Sequence, residues 1–165
     1  MQPQRRVFKY KKTFSFEGYL DKVPRNIRLY VTRLRTSSHN FPVEVLRYVK
    51  PKIMRRDRKC DICNIEEKGD EHHFLLRCNN SEINKARTSF IEDIKSHMPH
   101  FINFSDRNII EYCLTMVDNN THLAFGKYVK AIFRKYREDK EEKKAESPKY
   151  TRSGRLIKKP DKLNL

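Results

Sequence analysis

The chain has 165 residues, of which 35% are charged and 37% hydrophobic. That length suits one modest domain with extensions, and so small an apolar share predicts a small core that needs a staple such as disulfides, a metal or a partner. The net charge of +16 suggests a polyanionic partner, while no apolar run approaches the roughly 20 residues that a membrane-spanning helix needs.

The charge is uneven. Residues 1–60 carry 17 Lys+Arg against 4 Asp+Glu, whereas residues 61–100 carry 5 against 8. The first twelve residues are basic and polar, with no apolar stretch of the kind a signal peptide requires. The expectation is a flexible basic N-terminus over 1–12 and an intracellular protein of nucleus or cytoplasm. In a reducing compartment, clustered cysteines hold metal or do chemistry more often than they form disulfides.

Phe14, Phe16, Tyr19 and Leu20 predict a short amphipathic helix ending before Pro24. Pro24 suits the start of a second helix, along which Ile27, Tyr30 or Val31, and Leu34 recur at helical spacing. Arg25, Arg28, Arg33 and Arg35 occupy much of the rest of that helix. Thr36 to Asn40 is a polar break containing His39, whose role as a cap, a phosphate contact or a core hydrogen-bonder the sequence leaves open. Val43, Val45 and Leu46 fit a short helix or an extended piece, limited by Pro51. Arg55, Arg56, Arg58 and Lys59 then lead into the first cysteine.

Cys60-Asp61-Ile62-Cys63 places two thiols on one tight turn, His73 follows nine residues later, and Cys78 comes after four more. Three thiolates and a neutral imidazole complete the tetrahedral donor set that zinc prefers. Four protein ligands leave no open position for water, which predicts a structural site. Gly69 fits a chain reversal between the two ligand pairs, and Ile62, Ile65, Phe74 and Leu75 are placed to cover the ion or tie it to the helices. A thioredoxin-like redox pair is the rival reading, but no βαβ pattern surrounds the cysteines. Spacing favours His73 without excluding its neighbour His72. The acids Glu66, Glu67, Asp70 and Glu71 read as an offset to local charge.

After Cys78, Ser81 reads as the N-cap of a helix whose apolar stripe is Ile83, Ala86, Phe90, Ile94 and Met98. Ser105 or Asp106 caps a further helix with Ile109, Ile110, Cys113 and Leu114 inward. Cys113 on that stripe reads as a buried small hydrophobe rather than a fifth ligand. His97, His100 and His122 read as surface residues. After a break at Asp118 to Asn120, the last helix turns Phe125, Val129, Ile132 or Phe133, and Tyr136 inward. Its continuation, Arg137 to Glu146, is nearly all charge and is expected to project into solvent. Pro148 ends it, and the Lys/Arg-rich 147–165 reads as disordered.

Together these readings predict a mainly α protein: a helical zinc-binding domain over 13–140 with a CCHC loop inserted at 58–80, followed by a charged, disordered tail over 141–165. No polymerase, nucleotide-binding or nucleophile-elbow motif occurs, and four glycines leave little for phosphate-cradling loops. An enzyme is therefore not expected. The residues proposed to meet phosphates are Arg25, Arg28, Arg33, Arg35, Arg55, Arg56, Arg58 and Lys59, giving salt-dependent, largely sequence-blind affinity. Tyr30 and Tyr48 fit either base stacking or a core.

Leu34-Arg35-Thr36-Ser37-Ser38-His39-Asn40, then Val43-Glu44 and Arg47-Tyr48, the Cys-x2-Cys, Asp70-Glu71-His72-His73-Phe74-Leu75-Leu76-Arg77-Cys78 and Arg87 run in a familiar order. They resemble the zinc-binding region that follows the polymerase domain in reverse transcriptases of non-LTR retrotransposons, and related stand-alone genes of invertebrates. The resemblance covers roughly residues 14–137. In that family Asp-Glu-x-His-Phe ends in the ligand histidine, which implies His73. It also implies nucleic acid, RNA or DNA, as partner, and a reverse transcriptase domain in cis or in trans. Asn79 stands where the family often has Pro. The segment Tyr150 to Arg155 with Lys158-Lys159-Pro160 is similar to the basic tail of many gypsy-like polyproteins. Two other readings stay open: a C-terminal accessory fragment of a reverse transcriptase polyprotein, and a protein–protein interaction module.

Overall fold

The structure, a computed structural model, describes residue 17 and residues 19–115 and 119–146. The expectations for residues 1–12, for Phe14 and Phe16, and for the tail beyond Glu146 lie outside these. Among the described residues there are helices and turns but no β-strand. They are α1 (Tyr19–Lys22), α2 (Arg25–Arg35), α3 (Pro42–Val45), α4 (Ser81–His97), α5 (Asp106–Thr115) and α6 (Asn119–Glu146), with a five-residue π-helical turn at His73–Arg77. No described helix is long and apolar enough to cross a membrane.

The last helix is the spine. At 1.5 Å per residue α6 runs about 42 Å, and it packs against α2 on one side and α4 on the other. The helical stripes meet there: Val31 and Leu34 from α2, Ile83, Phe90, Ile91 and Ile94 from α4, and Phe125, Val129, Ile132 and Tyr136 from α6 are all buried. Gly126 sets how closely α2 approaches, since a Cβ on it would stand 2.4 Å from Ile27 Cγ2. Ile109, Ile110, Cys113 and Leu114 of α5 close the core, so Cys113 is the buried hydrophobe expected of its stripe.

The caps follow local chemistry with one shift. Asn80, not Ser81, is the N-cap of α4: its Oδ1 accepts from Ile83 N at 3.4 Å, while its Nδ2 donates to Ile62 O and Asp139 Oδ2. The longer amide reaches both the helix and the neighbouring loop, which a serine hydroxyl cannot. Ser105 caps α5, accepting from Asn108 N at 3.2 Å. α2 ends in a Schellman turn, with Ser38 N donating to Arg33 O and Ser37 N to Leu34 O. Its left-handed residue is Ser37, at φ 53°, rather than glycine. The Ser37 hydroxyl explains the choice, because it donates to Glu71 Oε1 at 2.9 Å.

Packing corrects two expectations, for His122 and for the charged end of α6, and adds a reason for Gly69. His122 is buried, not on the surface, and stacks on the Tyr19 ring with centroids 4.9 Å apart. Gly69 sits at the centre of a tight turn closed by Asp70 N donating to Lys68 O at 2.8 Å, and packing restricts it further. It is buried where a Cβ would meet Pro42 Cγ at 2.8 Å and Cys60 Cα at 3.1 Å, so the position is glycine for lack of room. The charged end of α6 does not simply project into solvent either. Lys140 pairs with the Asp61 carboxylate, Lys143 with the Asp61 carbonyl, and Asp139 with Asn80, so this end lies along the cysteine loop.

Candidate metal centre

The two halves of the cysteine–histidine cluster are built differently. Cys60 and Cys63 sit on a short knuckle closed by an isolated antiparallel bridge between Lys59 and Lys68. Cys60 N donates to Glu67 O at 2.8 Å and Gly69 N to Arg58 O at 2.9 Å. His73 and Cys78 sit at the two ends of the π turn. At 3.6 residues per turn, a residue five positions on lies about 140° around an α-helix. The wider π ring, closed by Cys78 N donating to His73 O at 2.7 Å, brings Cys78 back beneath His73. π turns are often found where a function requires such a displacement.

Asp70 starts this turn, with Oδ1 accepting from His73 N at 3.0 Å. Its carboxyl is held below the usual range: burial alone raises it, but the Lys68 ammonium and the His73 N–H outweigh that. Arg87 finishes the turn from α4. Its guanidinium donates to Leu75 O at 2.9 Å, Cys78 O at 3.0 Å and Phe74 O at 3.4 Å. Tyr128 adds a hydroxyl to Leu75 O at 2.6 Å. A buried π turn leaves carbonyls without helical partners, and these two side chains satisfy them.

The ligand atoms of Cys60, Cys63, His73 and Cys78 all lie within 4.8 Å of one another, close enough to hold a metal ion. Cys63 Sγ is 3.3 Å from His73 Nε2. A tetrahedron with metal–sulfur bonds of about 2.3 Å and a metal–nitrogen bond of about 2.0 Å has edges of about 3.5–3.8 Å, so the donors need only small adjustments. His73 Nδ1 lies 3.1 Å from Glu67 Oε2. A ring N–H donated to that carboxylate leaves the lone pair on Nε2, facing the sulfurs, which is the carboxylate–histidine pairing found behind metal-binding imidazoles. Arg77 Nε holds the same Glu67 oxygen at 3.1 Å. His73 is the histidine of the group; His72 is half-buried outside it.

The three thiols are not equivalent. The Cys60 S–H stabilises the Cys78 thiolate and lowers its pKa, while that hydrogen bond and then burial push Cys60 up to about 12. Burial raises Cys63. Burial lowers His73, but Cys60 and Glu67 more than offset it and its pKa ends raised. A divalent cation shifts this balance by binding thiolates and neutral imidazole, so protons and metal compete for the site.

The remaining acids of the loop do more than offset charge. Glu71 accepts from His39 Nε2 at 3.1 Å as well as from Ser37, and His39 Nδ1 accepts from Phe41 N at 3.4 Å. Burial raises the Glu71 carboxyl, but the His39 and Ser37 hydrogen bonds hold it well below its ordinary range. His39 is thus the core hydrogen-bonder among its three possible roles. Its ring also lies tilted against Phe41 at 4.4 Å, and Phe41 stacks on Phe74 with centroids 4.1 Å apart. Through this column the end of α2 grips the turn that carries His73.

The eight cationic residues expected to meet phosphates do not share one surface. Arg25, Arg33, Arg55 and Arg56 are exposed, Arg28 is half-buried, and Lys59 is exposed but paired with Glu66 at 2.5 Å. Arg35 and Arg58 are buried. Arg35 pairs with Glu17 at 2.5 Å and lies over the Tyr19 ring, joining α1 to α2. Arg58 donates to Val43 O at 2.7 Å and twice to Ile53 O, joining α3 to the knuckle. Both are removed from the expected contact surface, because their donors are spent inside the fold. Tyr30 is half-buried against Phe133, whereas Tyr48 is 78% exposed.

Sequence reasoning missed what three residues of this site do. Glu67 reads only as charge. Asp70 and Arg87 stand in the resembling motif order without a role: an Asp three residues before the histidine is an N-cap signal, whereas Arg87 has no local signal, since the carbonyls it satisfies lie nine to thirteen residues away. No family model matches the chain, and neither a curated protein nor a solved structure matches it.

Proposed function

We propose that this chain is a zinc-stapled, non-catalytic module of retroelement origin that binds nucleic acid through a basic surface. For zinc, the support is the Cys3His set with the Glu67-oriented imidazole. Bound there, zinc supplies a cross-link between the knuckle and the π turn. For nucleic acid, the observation that carries the reading is the loop after α3. Tyr48, Val49 and Met54 are exposed there, interleaved with Arg47, Lys50, Lys52, Arg55 and Arg56, which are exposed too. Cations track the phosphate backbone, and an exposed aromatic ring offers a face to an unpaired base. The retroelement origin rests on the motif order from Leu34 to Arg87.

Titration of labelled RNA and DNA oligonucleotides with zinc-loaded protein at rising salt tests the function. Affinity is expected to fall with a log–log slope of about −0.7 per phosphate contacted on a single strand, and Arg55→Glu/Arg56→Glu to flatten that slope. Absent or salt-insensitive binding rejects the nucleic-acid reading. Metal analysis of the purified protein beside Cys60→Ser and Cys78→Ser tests the zinc. A wild type without zinc, or variants that keep it, rejects that part.

A further inference from the structure

A second surface lies beside the start of that loop, and as nucleic-acid contacts the sequence pointed only to Tyr30 and Arg33 in it. α2, α3 and α6 enclose a cavity of about 560 Å³. Tyr30, Phe41 and Phe133 form its aromatic floor, with Phe133 edge-on to Tyr30 at 5.6 Å and tilted against Phe41 at 5.0 Å. Tyr30 and Phe133 are only half-buried, so ring surface faces the cavity. Arg33, Arg134 and Arg137 stand around it. α6 supplies two of these three cations, one hundred residues from Arg33 in sequence.

Among the described residues no carboxylate pairs with Arg33. Arg134 and Arg137 hold exposed partners one turn on, Glu138 at 3.1 Å and Glu141 at 3.9 Å. Such pairs are weak and a phosphate displaces them at little cost. Lys140, also at the rim, is taken by Asp61. The cavity thus joins an aromatic floor to a cationic edge, which is the chemistry of a base with its flanking phosphates.

We propose that this cavity is a stacking pocket for one unpaired base of single-stranded nucleic acid, with Arg33, Arg134 and Arg137 on the neighbouring phosphates. The proposal deepens the nucleic-acid reading and rests on it. A base within a duplex cannot enter, because its faces are already stacked and its edge is paired; an unpaired base can be splayed onto aromatic rings. An acidic peptide fits less well. Helical or extended peptides take grooves with repeated anchor points, whereas here one cavity has one floor.

The test uses the full zinc-loaded chain and a short fluorescein-labelled oligouridylate, with unlabelled single strand, RNA duplex and polyglutamate as competitors. Single strand is expected to compete well and duplex poorly. Arg33→Glu and Val45→Glu, the latter at a 48%-exposed residue of the cavity lining, are expected to weaken binding at least about tenfold. Phe133→Leu keeps apolar packing but removes the ring, and is expected to cost about five- to a hundredfold. Zinc content and thermal unfolding of each variant establish that it is folded, and the two surface variants suffice if Phe133→Leu is not. Unchanged affinity in folded groove variants, while Arg55→Glu/Arg56→Glu loses binding, overturns the pocket and leaves the nucleic-acid reading standing. Equal competition by duplex overturns the single-strand assignment, and equal competition by polyglutamate overturns it in favour of an acidic protein. A wild type that binds no oligonucleotide even at low salt overturns both.

Discussion

The knuckle of Cys60 and Cys63 and the π turn of His73 and Cys78 contribute two ligand atoms each, yet they owe their shapes to different forces. The π turn is built into the core: Phe74 and Leu75 are buried, Asp70 caps its start, and Arg87 and Tyr128 satisfy its carbonyls. The knuckle has one isolated bridge, the wedge of Gly69 against Pro42, and surface contacts from Lys140 and Lys143. One half of the site is therefore held ready by the fold, and the other is the half that a bound metal ion would hold.

The sharpest way to break this comparison is to remove the metal. Apparent binding free energies for small zinc sites are about 10–16 kcal/mol, and that energy is expected to fall mainly on the knuckle. Hydrogen exchange of zinc-loaded and chelator-treated protein should show amides of residues 59–69 losing protection, while those of 74–78 keep most of theirs. Equal loss in both halves would refute the division. Lowering the pH is a milder form of the same experiment. His73 has a raised pKa, so in metal-free protein its contribution is fully present below the unfolded histidine value and fades as pH rises through the folded one. Metal binding runs the other way, because the protons must leave. Metal content is therefore expected to fall as pH drops through the weakly acidic range, as metal analysis after equilibrium dialysis can read.

The π turn is tested through Arg87. Arg87→Met keeps the aliphatic stem and takes its donors from Phe74 O and Cys78 O, while Leu75 O keeps the Tyr128 hydroxyl, with an expected loss of about 2–4 kcal/mol in denaturant unfolding. A loss below about 1 kcal/mol would show that other contacts hold the turn. Glu67→Gln acts on the imidazole and on the half-exposed pair with Arg77. It is expected to weaken metal affinity by about 10–100-fold, measured by chelator competition, with little change in metal-free stability. The smallest effect is expected from Lys140→Ala, which removes a half-exposed pair with Asp61. Pairs of this kind are worth about 0–1 kcal/mol; a larger loss would mean that α6 props up the knuckle more than its exposure suggests.

Much of the fold was legible in sequence, and the reason is local. The stripes of α2, α4, α5 and α6 follow from 3.6-residue periodicity, because one face of each helix must leave water. The four ligand candidates follow from donor type and spacing within nineteen residues. Arg35 and Arg58 show where that reading stops. By composition they match Arg33 and Arg55, yet Glu17 and the carbonyls of Val43 and Ile53 draw them inward. His122 is a similar case, buried by its stacking on Tyr19.

By itself, then, the sequence determined the helical class, the four candidate ligands and the excess of positive charge, since each depends on residue types at short spacing. Tertiary structure alone decided that His39 and Ser37 clamp Glu71, that Arg87 completes the π turn, that Gly69 is there for want of space, and that Arg134 and Arg137 join Arg33 around an aromatic floor. Each of these joins residues brought together across long stretches of chain by the packing of α2 and α4 against α6, and no local pattern records which face of one helix will meet which face of another.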